Sequence, residues 1–205
     1  MRIYTFPLGP LETNCYLLVE GNEAAAVDPG GSPDAVTRYL DANNLKLTAI
    51  LNTHLHFDHV LGNAELSAAT GAPVYANSLD GYLLRPEMSA SRYGLPDTPP
   101  FAYVNQEEGA TTLIGLSCRI LHTPGHTPGS LSFYFSSAGA LFCGDLLFHR
   151  SVGRTDLPGG DTDALRDSIR RKVFTLPPDT VVYPGHGPAT SVGDEQRMNP
   201  FVGGL

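Results

Sequence analysis

The sequence predicts an α/β (α+β) fold in which β-sheets are covered by outer helices. Strand-like runs occur along most of the chain, and single helical segments lie between them, an order that a helical bundle or an all-β barrel would not give. The 205 residues, 41% hydrophobic and 17% charged, suffice for a sizeable core. We therefore expect one domain over residues 1–205.

The first half of the chain is predicted to begin with strands and then to alternate helices with short strands. Strands are expected over these short apolar or alternating runs: 2–6, 14–20, 24–27, 47–51 and 73–76. Apolar residues at helical spacing predict a helix from a cap at Ser32 or Asp34 to Ala42, and a second helix over 60–70. Residues 77–100, which carry four prolines, are expected to form a long irregular segment with one helical turn, typical of a binding loop.

The second half is predicted to be mostly strands. The strand-like runs are 102–104, 111–121, 130–135, 140–143 and 180–183. A helix capped by Asp161 is expected to continue to Phe174.

The composition excludes several classes of function. The formal net charge is −8, and no Lys/Arg cluster suggests a nucleic-acid partner. The N-terminus lacks the pattern of a signal peptide, and no apolar run is long enough to cross a bilayer. The three cysteines form no C-x-x-C pair. We expect a cytoplasmic protein that acts on a small molecule, and the sequence indicates no particular oligomeric state.

Four potential metal ligands lie within six residues, directly after a predicted strand: His54, His56, Asp58 and His59. In extended backbone, side chains two residues apart point to the same side, so His54 and His56 can converge on one ion. Asp58 and His59 fall where the next helix begins, and Asp58 could also cap that helix. Four ligand-type residues at this spacing favour a metal site over a structural role.

Three further ligand-type side chains each lie in a glycine-flanked turn after a predicted strand: His126, Asp145 and His186. In sheet-based folds, ligands bind outside the strand ends, so these turns could meet at one rim. Seven nitrogen or oxygen ligands exceed the needs of one tetrahedral zinc and suit two ions bridged by a carboxylate. Imidazole and carboxylate ligands suit zinc, iron or manganese.

The pattern from Asp28 to His186 resembles the metallo-β-lactamase superfamily. The resemblance implies a four-layer αβ/βα sandwich of two mixed sheets, and two divalent metal ions, zinc first, with iron or manganese as alternatives. It implies that the first ion is bound by His54, His56 and His126, the second by Asp58, His59 and His186, and both by Asp145. Asp28 would contact the metal ligands rather than the metal ions and would help to hold the ligand loop.

Longer strings are similar to the compact, single-domain bacterial glyoxalase II-like hydrolases; they lie at 144–148, 151–161 and 184–188, followed by Glu195 and 199–201. This resemblance implies hydrolysis of a thioester of the S-lactoylglutathione type by a hydroxide held on the metal ions. Asp58 and Asp145 would be the catalytic carboxylates.

Substrate contacts are expected from Phe148, Arg150, Arg154 and Tyr93, because only one basic residue, Arg197, follows His186. Full-length glyoxalase II enzymes grip glutathione with basic residues of a helical C-terminal extension. His122 is expected to be packed in the fold or to contact a metal ligand, and not to bind a metal ion itself.

Three alternatives remain open. A persulfide dioxygenase of the same superfamily, with one iron bound by two histidines and an aspartate, resembles the chain in the same motifs. A lactone or other ester hydrolase would use the same nucleophile. A non-enzymatic metal-binding protein is least favoured, because every ligand position is filled, and secreted β-lactamases fit less well because they typically carry a cysteine ligand or an altered second-metal set.

Overall fold

The structure, a computed structural model, describes residues 1–88 and 90–202, with the side chains of Arg92 and Tyr93 outside the described part. The chain divides into two compact units, 1–106 with 112–115 and 107–111 with 116–205. Two six-stranded mixed sheets with associated helices confirm the predicted α/β class. The single domain over 1–205 stays a prediction.

The first sheet has the order β1-β2-β3-β4-β5-β6. Its strands are Arg2–Leu8, Thr13–Glu20, Glu23–Val27, Lys46–Leu51, Val74–Ala76 and Val104–Asn105. The first three strands pair antiparallel, and β3 to β6 run parallel. The carboxyl ends of β3 and β4 therefore lie at the same edge, where Asp28 and the His54–His59 segment follow them.

Helix α1, Asp34–Ala42, packs Val36 and Leu40 against Leu17 and Ala26 of the first sheet. The predicted cap at Ser32 or Asp34 is wrong, because the N-cap residue is Pro33 and no side chain caps the helix. Asp34 is the first helical residue, where its negative charge instead favours the positive end of the helix dipole.

The single helix predicted over 60–70 is also wrong, because two helices, α2 (Phe57–Val60) and α3 (Asn63–Thr70), cover this region. The backbone N–H of Gly62 donates to the carbonyl oxygen of Pro29 at 2.8 Å, which turns the chain between the helices. A Cβ at Gly62 would overlap the carbonyl oxygen of Gly31, so glycine permits this close approach. Asp58 does not cap α2, whose N-cap residue is His56.

Segment 77–100 contains three 3₁₀ helices instead of the single turn expected: Ser78–Leu84, Pro86–Met88 and Ala90–Tyr93. The side chain of Asn77 caps the first by accepting from the backbone N–H of Leu79 at 3.0 Å. Apolar side chains of this segment, including Leu83, pack with Leu55 and Val60 in a separate small core.

The second sheet has the order β14-β13-β10-β9-β8-β7. In chain order its strands are β7 to β10 and β13 to β14: Gly109–Leu113, Leu116–His122, Leu131–Phe135, Ala140–Gly144, Val181–Pro184 and Thr190–Ser191. The predicted strand over 111–121 is two strands, because Ile114 and Gly115 both have positive φ, +47° and +76°, as in a type I′ hairpin turn.

Helix α4, Thr162–Arg171, packs Leu165 and Ile169 against Leu141 and Leu147. Asp161 caps it as predicted, by accepting from the backbone N–H groups of residues 163 and 164 at 2.9 Å. The helix ends before the predicted Phe174, which lies in a 3₁₀ turn, 173–175.

Three features among the strands and α-helices were not predicted: the hairpin of β11 (Leu147–Phe148) and β12 (Ser151–Val152), strand β14 (Thr190–Ser191), and helix α5 (Val192–Met198). Strands of two residues give no periodicity. The start of α5 did carry a signal, since the side chain of Ser191 accepts from the backbone N–H of Asp194. Among the described residues, no helix is both long and apolar enough to span a membrane.

Candidate metal centre

The segment after β4 gathers its four ligand-type side chains in the first unit. Ligand atoms of His54 and His56 lie within 4.8 Å of each other, as do those of His54 and His59 and those of Asp58 and His59. The ring centroids of His54 and His59 are 4.1 Å apart. His54, Asp58 and His59 are buried and His56 is half-buried. The imidazole rings therefore converge at a site that is largely shielded from solvent.

Asp28, which follows β3, holds this segment in place. Its Oδ1 accepts from the backbone N–H of Thr53 at 2.8 Å, and its Oδ2 accepts from Thr53 Oγ1 at 2.6 Å. The same Oδ2 lies 2.9 Å from Nδ1 of His59. Asp28 has a φ of +50°, a strained conformation for a residue with a Cβ, and these contacts offset the strain.

These contacts fix which ring nitrogen of each histidine carries the proton. A carboxylate can only accept, so Nδ1 of His59 must carry the hydrogen it donates to Asp28. The hydroxyl proton of Thr53 goes to Asp28, so its oxygen accepts from Nδ1 of His54, 3.1 Å away. Both rings therefore keep the Nε2 lone pair for a cation, the usual arrangement of metal-binding histidines.

Close backbone contact also surrounds Asp58. Its Oδ2 accepts from Oγ1 of Thr13 at 3.2 Å. A Cβ at Gly30 would overlap the carbonyl oxygen of Asp58, so the D-P-G-G turn after β3 packs directly against the ligand segment. Glycine at this position is required for that approach.

The second unit brings its three predicted ligands together at one edge of the second sheet. Strands β10 and β13 run parallel, and β8 and β10 are both antiparallel to β9. The carboxyl ends of β8, β10 and β13 therefore lie at the same edge. His126, Asp145 and His186 follow these three strands in turn.

The distances within this group fit the ligands of a metal ion. Oδ2 of Asp145 lies 3.7 Å from Nε2 of His126 and 3.8 Å from Nε2 of His186. In the first unit, Oδ2 of Asp58 lies 3.6 Å from Nε2 of His59. Two atoms each about 2.1 Å from one cation are roughly 3.4 to 3.8 Å apart at angles of about 109° to 130°. The donor set and its spacing therefore fit divalent metal ions.

His126 is oriented by a backbone acceptor. Its Nδ1 lies 2.8 Å from the carbonyl oxygen of Arg154, so Nδ1 carries the proton and Nε2 again remains for a cation. A Cβ at Gly153 would overlap the carbonyl oxygen of Asp145, so only glycine lets the 153–154 backbone reach both ligands. Sequence reasoning missed these roles, because a carbonyl acceptor leaves no trace in residue type.

The candidate substrate residues differ in their surroundings. The ring of Phe148 is 6.5 Å from that of His186. The guanidinium of Arg150 donates to Glu195 Oε1 at 3.1 Å, and that of Arg154 donates to both carboxylate oxygens of Asp156. The hydrogen bonding of Arg154 to this carboxylate lowers the pKa of Asp156 to about 2. The side chain of Tyr93 lies outside the described residues.

Two cavities border the ligand segments. One of about 270 Å³ is lined by Phe57, which lies between two ligands in sequence, and by residues of 83–98, including Arg85. The other, also about 270 Å³, is lined by His186, Phe148 and His149 among others. Nε2 of His122 lies 2.8 Å from the carbonyl oxygen of Pro128, and the packed role expected for this histidine stays a prediction.

Two mixed sheets with His/Asp clusters after their strand ends define a metal-binding α/β protein. The family model described as "Metallo-beta-lactamase superfamily" matches residues 8–186. The chain belongs to this superfamily and is a metal-dependent hydrolase.

Two relatives match along nearly their whole length. The chain is 36% identical to "Probable metallo-hydrolase YqgX" of Bacillus subtilis, over 100% of this chain and 99% of the relative. It is 37% identical to "Hydroxyacylglutathione hydrolase GloC" of Haemophilus influenzae, over 98% of each.

Solved structures agree with the fold. BLEG-1, described as a B3 metallo-beta-lactamase, has a TM-score of 0.92 at 38% identity, covering 99% of this chain and 100% of its own. TTHA1623, in a di-iron-bound form, has a TM-score of 0.88 at 43% identity, covering 97% and 99%. ETHE1 from Myxococcus xanthus has a TM-score of 0.77 at 30% identity, covering 98% and 84%.

Proposed function

We propose that this protein hydrolyses thioesters of the S-lactoylglutathione type with two divalent metal ions. The observation that carries the substrate proposal is the relative named hydroxyacylglutathione hydrolase, which matches over 98% of both chains. That relative leaves no room for a long helical extension, so the name does not depend on one. The small number of basic residues after His186 is therefore compatible with glutathione thioesters.

The proposed ligands are those that the superfamily motif assigns to two ions: His54, His56 and His126; Asp58, His59 and His186; and Asp145 for both. The superfamily match over 8–186 includes all of them. The central position of Asp145 Oδ2 between two imidazoles supports the bridging role. A di-iron-bound relative structure supports two ions, and zinc remains our first choice of metal.

When bound, the two cations would lower the pKa of a water molecule and polarise the thioester carbonyl. Side chains and backbone groups of the protein orient the metal ligands. Asp28 and the carbonyl of Arg154 keep the proton on Nδ1 of His59 and of His126, so that Nε2 of each ring would bind a cation. Asp58, which Thr13 orients through a hydrogen bond, would hold the attacking water and accept its proton. No covalent intermediate with the protein is required.

The test combines metal analysis with turnover. The purified protein is expected to contain close to two divalent ions per chain and to hydrolyse S-lactoylglutathione. Hydrolysis is measured as the loss of thioester absorbance. Asp145→Ala should abolish turnover and bound metal together, because the metal ions would supply the nucleophile. Asp167→Ala is the matched control, because this carboxylate is exposed and pairs with Arg171 of the same helix. Full turnover in Asp145→Ala would overturn the ligand assignment.

Assays with other substrates distinguish the proposed function from the alternative activities. The G-R-T-D string, in which the chain resembles the persulfide dioxygenases of the superfamily, favours that activity as the second candidate. One iron per chain and oxygen uptake with glutathione persulfide would establish that activity instead. A simple lactone and a chromogenic β-lactam complete the set, and hydrolysis of either without thioester turnover would contradict the proposed substrate.

A further inference from the structure

The turn of the β11–β12 hairpin contains a strained residue. Phe148 pairs with Ser151, so His149 and Arg150 form a two-residue turn. Arg150 has a φ of +58°, in the left-handed region where glycine or asparagine is usual. Strain of this kind persists only where surrounding contacts hold it, and it is a guide to function.

The contacts come from Glu195 on helix α5, which is fully buried. Its Oε2 accepts from the backbone N–H of Arg150 at 3.0 Å, and its Oε1 accepts from the guanidinium of Arg150 at 3.1 Å. Thr190 Oγ1 donates to Oε1 at 2.6 Å, and Asn199 Nδ2 donates to Oε2 at 2.8 Å. A buried carboxylate that accepts four hydrogen bonds is rigidly held. It can therefore fix the conformation of the hairpin turn.

Asn199 extends the anchor to the other strand of the hairpin. Its Nδ2 donates to the carbonyl oxygen of Ser151 at 3.0 Å, in addition to its bond with Glu195. The turn is therefore bound through the backbone of two successive residues, Arg150 and Ser151. A displacement of α5 or of its carboxylate would move the whole turn.

The hairpin forms one wall of the cavity beside His186. Phe148, His149 and Ser151 line this cavity together with Gly187 and Pro188. Among the described residues its lining contains no lysine or arginine, and the charge of Arg150 is directed to Glu195 instead. The cavity therefore suits an uncharged part of a substrate.

We propose that Glu195 is a positioning residue: it holds Arg150 in the left-handed conformation and so places Phe148 and His149 against an uncharged part of the bound thioester. This inference rests on the proposed function for its substrate. It also accounts for an arginine at this turn position, since a glycine would keep the backbone bond to Glu195 Oε2 but would lose the guanidinium bond to Oε1.

The first test is Glu195→Gln, in the full-length metal-loaded protein. The amide has one acceptor oxygen where the carboxylate had two, so two of the four donors would face an NH₂ group. We expect the KM for S-lactoylglutathione to rise on the order of tenfold, with kcat and metal content unchanged. Hydrogen exchange at the amide of Arg150 should accelerate. Asp194→Asn is the control and should retain the original KM, because the half-buried carboxylate of Asp194 pairs with Arg197, whereas its backbone carbonyl is the group that accepts from Arg150.

A second pair of variants tests the proposal even if Glu195→Gln fails to fold. Arg150→Gly adopts the left-handed conformation freely, whereas Arg150→Ala keeps the strain without the ion pair. Positioning by Glu195 predicts a larger rise in KM for alanine than for glycine. Equal rises in both variants would indicate that the guanidinium contacts substrate directly, and would overturn the proposal.

The remaining outcomes are also decisive. Unchanged KM and unchanged Arg150 exchange in Glu195→Gln, or a loss of kcat together with bound metal, would refute a positioning role. If the unmodified protein does not turn over the thioester, the proposed function fails by itself. The exchange measurement then still decides whether Glu195 anchors the turn.

Discussion

Replacing Asp28 with asparagine should weaken metal binding without disturbing the backbone. Asparagine adopts the left-handed region more readily than other non-glycine residues, so the φ of +50° is retained. Asp28 is 2% exposed and accepts three hydrogen bonds from Thr53 and His59. The amide can keep the bond to the backbone N–H of Thr53, but its NH₂ group then faces two donors.

The magnitude follows from these contacts. A hydrogen bond to a charged group contributes about 1.5 to 3 kcal/mol, so the loss of two, partly relieved by rearrangement, should lower the free energy of unfolding by roughly 3 kcal/mol. For a chain of this size, that corresponds to a fall of about 6 to 12 °C in Tm. The NH₂ group can also donate to Nδ1 of His59, which moves the ring proton to Nε2 and blocks the ligand atom. Loss of such a partner typically lowers metal affinity by about 10- to 100-fold.

Metal titration by calorimetry, together with thermal unfolding of the metal-free protein, separates the two effects. Asp34→Asn is the control, since Asp34 is an exposed carboxylate at the start of α1. Unchanged affinity and stoichiometry in Asp28→Asn, with the expected fall in Tm, would refute the argument that Asp28 sets the proton position of His59.

Four further predictions follow from contacts and burial elsewhere in the structure. Gly153→Ala should remove at least one bound metal ion per chain, measured by elemental analysis, because its Cβ would push against the carbonyl of Asp145; full metal content would contradict this. Asp161→Ala should destabilise the protein by about 1 kcal/mol through loss of the α4 cap, seen as a Tm lower by roughly 2 to 4 °C, and an unchanged Tm would show that the cap contributes nothing. All three cysteines of the sequence are buried, so a thiol reagent should react with none in the native protein and with three after denaturation. Burial raises the pKa of Cys118 from 9.0 to about 12. The contribution of this thiol to stability is therefore fully present below pH 9 and is lost as the pH rises towards 12. Cys118→Ala should flatten the fall of Tm over this pH range.

The seven candidate ligands could be selected from the sequence because each follows an apolar run and lies in a short local motif. His54, His56, Asp58 and His59 form one continuous string, and glycine marks the other turns. Strand positions were predictable for the same reason, since alternation and apolar runs are local. Two-residue strands such as β11 and β12 contain too little pattern to be detected.

The contacts that orient the ligands could not be predicted from residue type. The acceptor for His126 is the carbonyl of Arg154, 28 positions away, and the donor to Asp58 is Thr13, 45 positions away. Every residue has a carbonyl, and threonines are common. Helix 60–70 divided for a similar reason, because Gly62 is held by Pro29, a tertiary contact that overrides local helical preference.

The two units orient a ligand histidine through different acceptor groups. Each must keep a proton on Nδ1 of a histidine, and the first does so with the carboxylate of Asp28 for His59, the second with the carbonyl of Arg154 for His126. A carboxylate can be altered by substitution, and it also makes the imidazole a stronger base. A carbonyl can be altered only by moving the backbone, and Gly153 is the residue that brings it close. Asp28 and Gly153 therefore have equivalent roles despite their unlike chemistry, and this is why a glycine in the second unit should be as intolerant of substitution as a buried acid in the first.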